Sequence, residues 1–143
     1  MEVKTGSEKD VLDTLQNVLD VIAPEKFGCR ERKQEGESAI GKPVDLEIYF
    51  LSKPNVVAVA VEVANVNTTQ LVGEACRLYY DTCFLKLLIL GDRNVPLNGK
   101  EQCEKLLAKL YGQESILYTP ARVEWYNDRE GIMKSLKELL LIF

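Results

Sequence analysis

The chain has no histidine among its 143 residues. That removes the usual general base, the Ser and Cys triads that depend on it, and the commonest zinc ligand. It has four cysteines, Cys29, Cys76, Cys83 and Cys103, and none of them forms a Cys-x-x-Cys pair. A zinc site is therefore not expected, and the cysteines read as small buried hydrophobes in a reducing cytoplasm. No Gly-rich phosphate loop is present, and no apolar run reaches the roughly 18 residues a membrane helix needs, so no membrane span is expected. The polar, charged N-terminus gives no secretory signal. The formal net charge of -4 argues against binding nucleic acid by bulk charge. It leaves room for a local basic patch working with metal ions. Arg30, Arg32 and Lys33, diluted by Glu31, form the one obvious basic cluster and read as a solvated strand edge. Any catalysis must rest on carboxylates, lysines and a metal.

What the chain does have is ordinary globular composition, 46% hydrophobic and 28% charged, in a length that suits one domain, 1–143. Its centre is the stretch from Lys42 to Asn65. Lys-Pro-Val-Asp-Leu-Glu-Ile-Tyr-Phe and Val-Val-Ala-Val-Ala-Val-Glu-Val-Ala are rich in β-branched and aromatic residues, with a break at Ser52-Lys53-Pro54-Asn55. Two antiparallel strands follow from that pattern. Val57, Val59, Val61 and Val63 should point one way, and Ala58, Ala60, Glu62 and Ala64 the other. Both faces are apolar, so the second strand should be central, with a helix close over its thin alanine face. Asp45, at the start of one strand, and Glu62, near the end of the next, should then meet at one end of the sheet. Glu47 reads as a solvated or edge residue.

The flanking segments read as alternating helices and strands. Ser7 caps a helix with an apolar stripe of Val11, Leu12, Leu15, Val18, Leu19 and Ile22, stopped by Pro24. Phe27 to Gln34 suits an edge strand, and 35–38 a turn. Asn67 caps the next helix, to about Cys83, with Gln70 as its capping-box partner and Tyr79-Tyr80 as core and rim. Phe84 to Leu90 is a buried strand, and the strand–helix–strand order implies a parallel pair. Asn98 with Glu101 caps a helix carrying Cys103, Leu106, Leu107 and Leu110 inward. Ser115 to Tyr118 reads as a short strand and Val123 to Tyr126 as an extension or another. Asn127 or Asp128 caps a last helix whose apolar stripe runs to Phe143 and offers a dimer surface.

Pro43-Val44-Asp45 and Glu62-Val63-Ala64, in a helix–strand–strand–helix–strand setting, resemble the PD-(D/E)xK nuclease superfamily. The resemblance covers about Ser7 to Gly91, leaving 92–143 as an extension. It implies an α/β fold of the restriction-endonuclease-like type, three layers with a mixed central sheet flanked by helices. It further implies Mg²⁺ (or Mn²⁺) held by Asp45, Glu62 and the Val63 carbonyl, with Glu8, or else Asp10, completing the shell. A hard cation takes oxygen ligands and lowers the pKa of bound water for attack on a phosphodiester. The family's lysine would fall at position 64, where this chain has Ala64. Three outcomes are open: a substitute lysine, with Lys86 on the adjoining strand or Lys42 before Asp45 as candidates; the metal alone with slow chemistry; or a site without activity.

The resemblance thus implies a Mg²⁺-dependent endonuclease acting on DNA; the cysteines add the expectation of a cytoplasmic protein, and the apolar last helix that of a homodimer. An alternative is an inactive domain of the same fold that oligomerises or docks on a partner, which Ala64 and the acidic balance favour. A doubly wound domain binding a small ligand near Gly91-Asp92 ranks last, because no phosphate loop accompanies it.

Overall fold

The computed structural model describes residues 7–32, 44–91 and 94–143. In chain order the elements are α1 (Glu8–Ile22), β1 (Phe27–Glu31), β2 (Leu46–Phe50), β3 (Lys53–Ala64), α2 (Thr68–Tyr79), β4 (Leu85–Leu90), α3 (Gly99–Leu110), β5 (Ala121–Trp125) and α4 (Arg129–Leu140). The expected turn at 35–38, and Lys33, Lys42, Pro43 and Asp92, lie outside the described residues.

The five strands form one mixed sheet in the order β1-β2-β3-β4-β5. β1, β2 and β3 are antiparallel neighbours, and β3, β4 and β5 run parallel. The antiparallel half follows from short connections, and the parallel half from α2 and α3, each of which carries the chain back to start a new strand. The result is a three-layer α/β arrangement. On the valine side of β3, the core joins Val11, Leu15, Val18 and Leu19 of α1 with Val59, Val61, Leu87 and Ile89 of the sheet and Ile132, Leu136 and Leu139 of α4. On the other side, Ala60 and Ala64 pack with Leu71, Ala75 and Leu78 of α2 and Cys103 and Leu107 of α3. Small side chains on this face let the helix backbone approach closely.

Helix starts obey the expected chemistry at three of four positions. Ser7, Asn67 and Asp128 each accept a hydrogen bond from a backbone N–H three residues on, contributing about 1 kcal/mol each. Asn98 stands at the start of α3 but makes no such side-chain bond.

Several expectations need correction. The hairpin turn is only Leu51-Ser52, because Phe50 pairs with Lys53, so Pro54 and Asn55 belong to β3. β3 does not alternate cleanly: Ile48 pairs with Val59 and Tyr49 with Val57, which leaves Ala58 as an extra residue in a bulge. Ala58 consequently packs in the valine-side core rather than beside Ala60. α2 stops at Tyr79, and Phe84 is exposed ahead of β4. Residues Ile116–Tyr118 form a turn of 3₁₀ helix, and the strand begins later, at Ala121. The Phe143 ring lies 4.8 Å from Phe50 edge-on and 6.3 Å from Phe27 but stays half exposed, next to exposed Leu141 and Ile142.

Candidate functional site

The parallel strands all end at the same edge of the sheet, and there β2 begins. Leu46 pairs with Val61 across the antiparallel ladder, so Asp45 falls opposite Glu62. β2 begins only at Leu46, opposite Val61, so the Val63 N–H lies beyond its ladder. Asp45 fills that gap: its Oδ2 accepts a hydrogen bond of 2.9 Å from the Val63 N–H. One oxygen of Asp45 is thus engaged by the backbone, and the carboxyl faces Glu62.

Glu62 is 1% exposed, on the alanine face beneath α2. Neither of its carboxylate oxygens receives a hydrogen bond. Two carboxylates face one another as acceptors with no donor between them, an arrangement that a shared proton or a cation resolves. Burial, the facing Asp45 carboxyl and the nearby Glu74 hold the Glu62 carboxyl far above the usual carboxylate range, and the charge of Arg77 opposes this only in part.

Among the described residues, Arg77, from the last turn of α2, is the cation within ion-pair distance of Glu62. Its Nη1 lies 3.7 Å from Glu62 Oε2 and 3.2 Å from Glu74 Oε2. The side chain is about one-third exposed, so it reaches from the surface to a buried carboxylate. The sequence does not single it out. The only signal was the helical spacing of Glu74 and Arg77, which suits an ion pair on any helix.

Lys86 has a different commitment. It lies on the same face as Glu62 but pairs in register with Ala60, whereas Glu62 pairs with Leu88. Its ammonium donates to the Tyr79 carbonyl at the end of α2 and sits 5.4 Å and 5.8 Å from the ring centres of Tyr79 and Tyr111. A cation at a helix C-terminus is favoured by the unpaired carbonyls there, and burial lowers its pKa. Glu8 is exposed in the first turn of α1, a helix that packs on the valine side. Asp10 lies in the same turn. The structure therefore brings together Asp45, Glu62 and Val63, adds Glu74 and Arg77, and turns Lys86 toward the end of α2.

The expected solvated edge at β1 is instead an ion-pair network, and Glu47 is buried within it. Arg30 donates to Glu47 Oε2 at 3.0 and 2.8 Å, Arg32 donates to Glu47 Oε1 at 3.1 Å, and Arg32 also pairs with Asp81. The Arg30 guanidinium lies 4.0 Å over the Tyr49 ring, and Tyr49 in turn lies against Gly28, where a Cβ would collide with it. Both arginines are needed to neutralise and shield one glutamate on a strand next to the edge.

Among the described residues no three His, Cys, Asp or Glu side chains gather closely enough to enclose a metal ion. No described helix is long and apolar enough to cross a membrane. The four cysteines are all free. Against known proteins, no family model matches this chain and no curated protein matches it.

Proposed function

We propose that the chain is a divalent-cation-dependent nuclease-like protein of the restriction-endonuclease-like type, acting on the phosphodiester backbone of DNA in a reducing, cytoplasmic setting. The observation that carries the reading is the buried carboxylate pair: Glu62, with both oxygens lacking a donor, faces Asp45. The donor set fits Mg²⁺ or Mn²⁺, hard cations that prefer oxygen and retain several waters, so that two protein carboxylates suffice. Asp45 and Glu62 would hold the ion, with the Val63 carbonyl beside them. When bound, the ion supplies a water of lowered pKa and a positive charge near the phosphoryl oxygens.

The chain's own residues prepare that event. The Val63 N–H fixes one oxygen of Asp45 and so sets how its carboxyl faces Glu62. The apolar alanine face around Glu62 excludes bulk water, which strengthens its attraction to a cation. In the hydrolysis itself, a water oxygen bonds to phosphorus and the bond from phosphorus to the sugar oxygen breaks. One water proton ends on that leaving oxygen, and the remaining hydroxyl stays on the new phosphate monoester.

The test is calorimetry with Mn²⁺ at neutral pH, alongside cleavage of single- and double-stranded DNA. Wild-type protein binds one ion and cleaves, while Glu62→Ala does neither. Equal background cleavage by the two proteins ends the enzymatic reading. A second reading rests on Ala64, which is 1% exposed in the apolar cluster with Leu71 and offers no positive charge. On that reading the domain is inactive and works by self-association or docking; it predicts no ion binding and a stable dimer by light scattering.

A further inference from the structure

Position 64 carries a methyl group where catalysis at a carboxylate pair would call for a cation, and Lys86 is turned to the end of α2. Among the described residues, the cation paired with Glu62 belongs to α2. We propose that Arg77 is the phosphate-facing cation of this site, held between Glu62 and Glu74 and available to the phosphodiester once Glu62 turns its charge to a bound divalent ion. This rests on the reading of Asp45 and Glu62 as an ion-binding pair.

Three observations carry it. Arg77 Nη1 stands within ion-pair distance of both Glu62 Oε2, at 3.7 Å, and Glu74 Oε2, at 3.2 Å. The longer contact is to the buried carboxylate, whose oxygens still lack a hydrogen bond. Glu74 is therefore the firm tether and Glu62 the looser, exchangeable partner. The side chain is about one-third exposed, so Arg77 lies at the surface from which a polymeric substrate must approach. By contrast, Arg32 is spent on Glu47 and Asp81, and Arg30 gives its N–H groups to Glu47 and to the Pro54 carbonyl. A planar guanidinium also suits phosphate better than a point charge would, because two N–H groups can meet two phosphate oxygens at once.

The arrangement has a consequence that a purely structural arginine would not produce. A positive charge beside two carboxylates repels an incoming cation, yet stabilises the charge that builds on the phosphate during attack. Removing it must push ion affinity and turnover in opposite directions. The experiment compares wild type, Arg77→Ala, Arg77→Lys and Glu62→Ala by Mn²⁺ calorimetry, and by cleavage of a DNA oligonucleotide at saturating Mn²⁺. Arg77→Ala is expected to bind Mn²⁺ several-fold more tightly and to cleave at least about tenfold more slowly. Arg77→Lys is expected to recover most of the rate. If Arg77→Ala binds and cleaves as wild type does, or loses both together, the assignment of Arg77 is wrong while the ion site stands. If wild-type protein binds no Mn²⁺, the ion site falls, and the role of Arg77 falls with it.

Discussion

The two faces of β3 are built on opposite plans. On the valine side, Val59, Val61 and Val63 share one apolar core with α1 and α4, and the charges of that face, Glu124 bonded to Ser135 and Arg122 paired with Glu138, stand apart on β5. The alanine side is shallow, and onto the same three-strand platform it gathers Asp45, Glu47 and Glu62 from the strands and Glu74, Arg77 and Asp81 from α2 and the turn after it. Over β3 itself, non-directional burial secures one face, and paired charge gathers on the other. The contrast teaches that a chain can concentrate its stability on one side of a sheet and carry a costly constellation on the other.

Breaking one element on each face measures the difference. The largest effect falls on the charged side. Arg32→Ala leaves Glu47 and Asp81 without their shared partner in a region where the Arg32 side chain is 16% exposed. Removing one member of a buried pair costs about 3–5 kcal/mol, and urea unfolding followed by circular dichroism should register it. On the valine side, Leu15→Ala empties a fully buried position in α1 and should cost about 3 kcal/mol. It should do so equally at pH 5 and pH 8.

The sharpest contrast comes from Glu62→Gln. Because the folded protein holds this carboxyl far above its ordinary value, the folded state binds a proton more tightly than the unfolded chain does. Its stability is full below the ordinary glutamate range and declines as pH rises toward the raised value. Glutamine carries no charge to lose, and its amide can donate to Asp45. Glu62→Gln should therefore be more stable than wild type by about 2 kcal/mol at pH 8. The gain should shrink toward zero near pH 4.5, and differential thermal melts at the two pH values read it directly. The same variant should lose Mn²⁺ binding, so that stability and ion affinity move oppositely at one atom pair. The smallest effect belongs to Gln70→Ala. Gln70 is exposed, and only its backbone N–H meets the Asn67 cap, so its stability should change by less than about 0.5 kcal/mol.

The carboxylate pair was legible in the sequence because it needs only two facts: extended backbone reverses side-chain direction at every residue, and a tight hairpin fixes which residues lie opposite. Glu62 also announced itself as a charge amid valines and alanines. The rest depended on information that a strand pattern does not carry. Ala58 changed sides because one bulge shifts the alternation, and nothing in a Val-Ala repeat marks where a bulge falls. Glu47 read as solvated because alternation of charged and apolar residues is the usual mark of a wet face. It is buried because two arginines, Arg30 on β1 and Arg32 just past its end, close over it. Arg77 was invisible because its role depends on how α2 is rotated over the sheet. Lys86 was the natural choice from strand adjacency, yet a two-residue offset in register sends its long side chain to the helix end instead.

The bond from the Val63 N–H to Asp45 makes the main chain a party to whatever happens at the carboxylates. A ligand that draws density away from that oxygen lengthens the bond and alters the shielding of a single amide proton. In a nitrogen-edited NMR titration, that one resonance is a natural gauge of occupancy, placed by the fold at the lip of the sheet and requiring no added label near the chemistry.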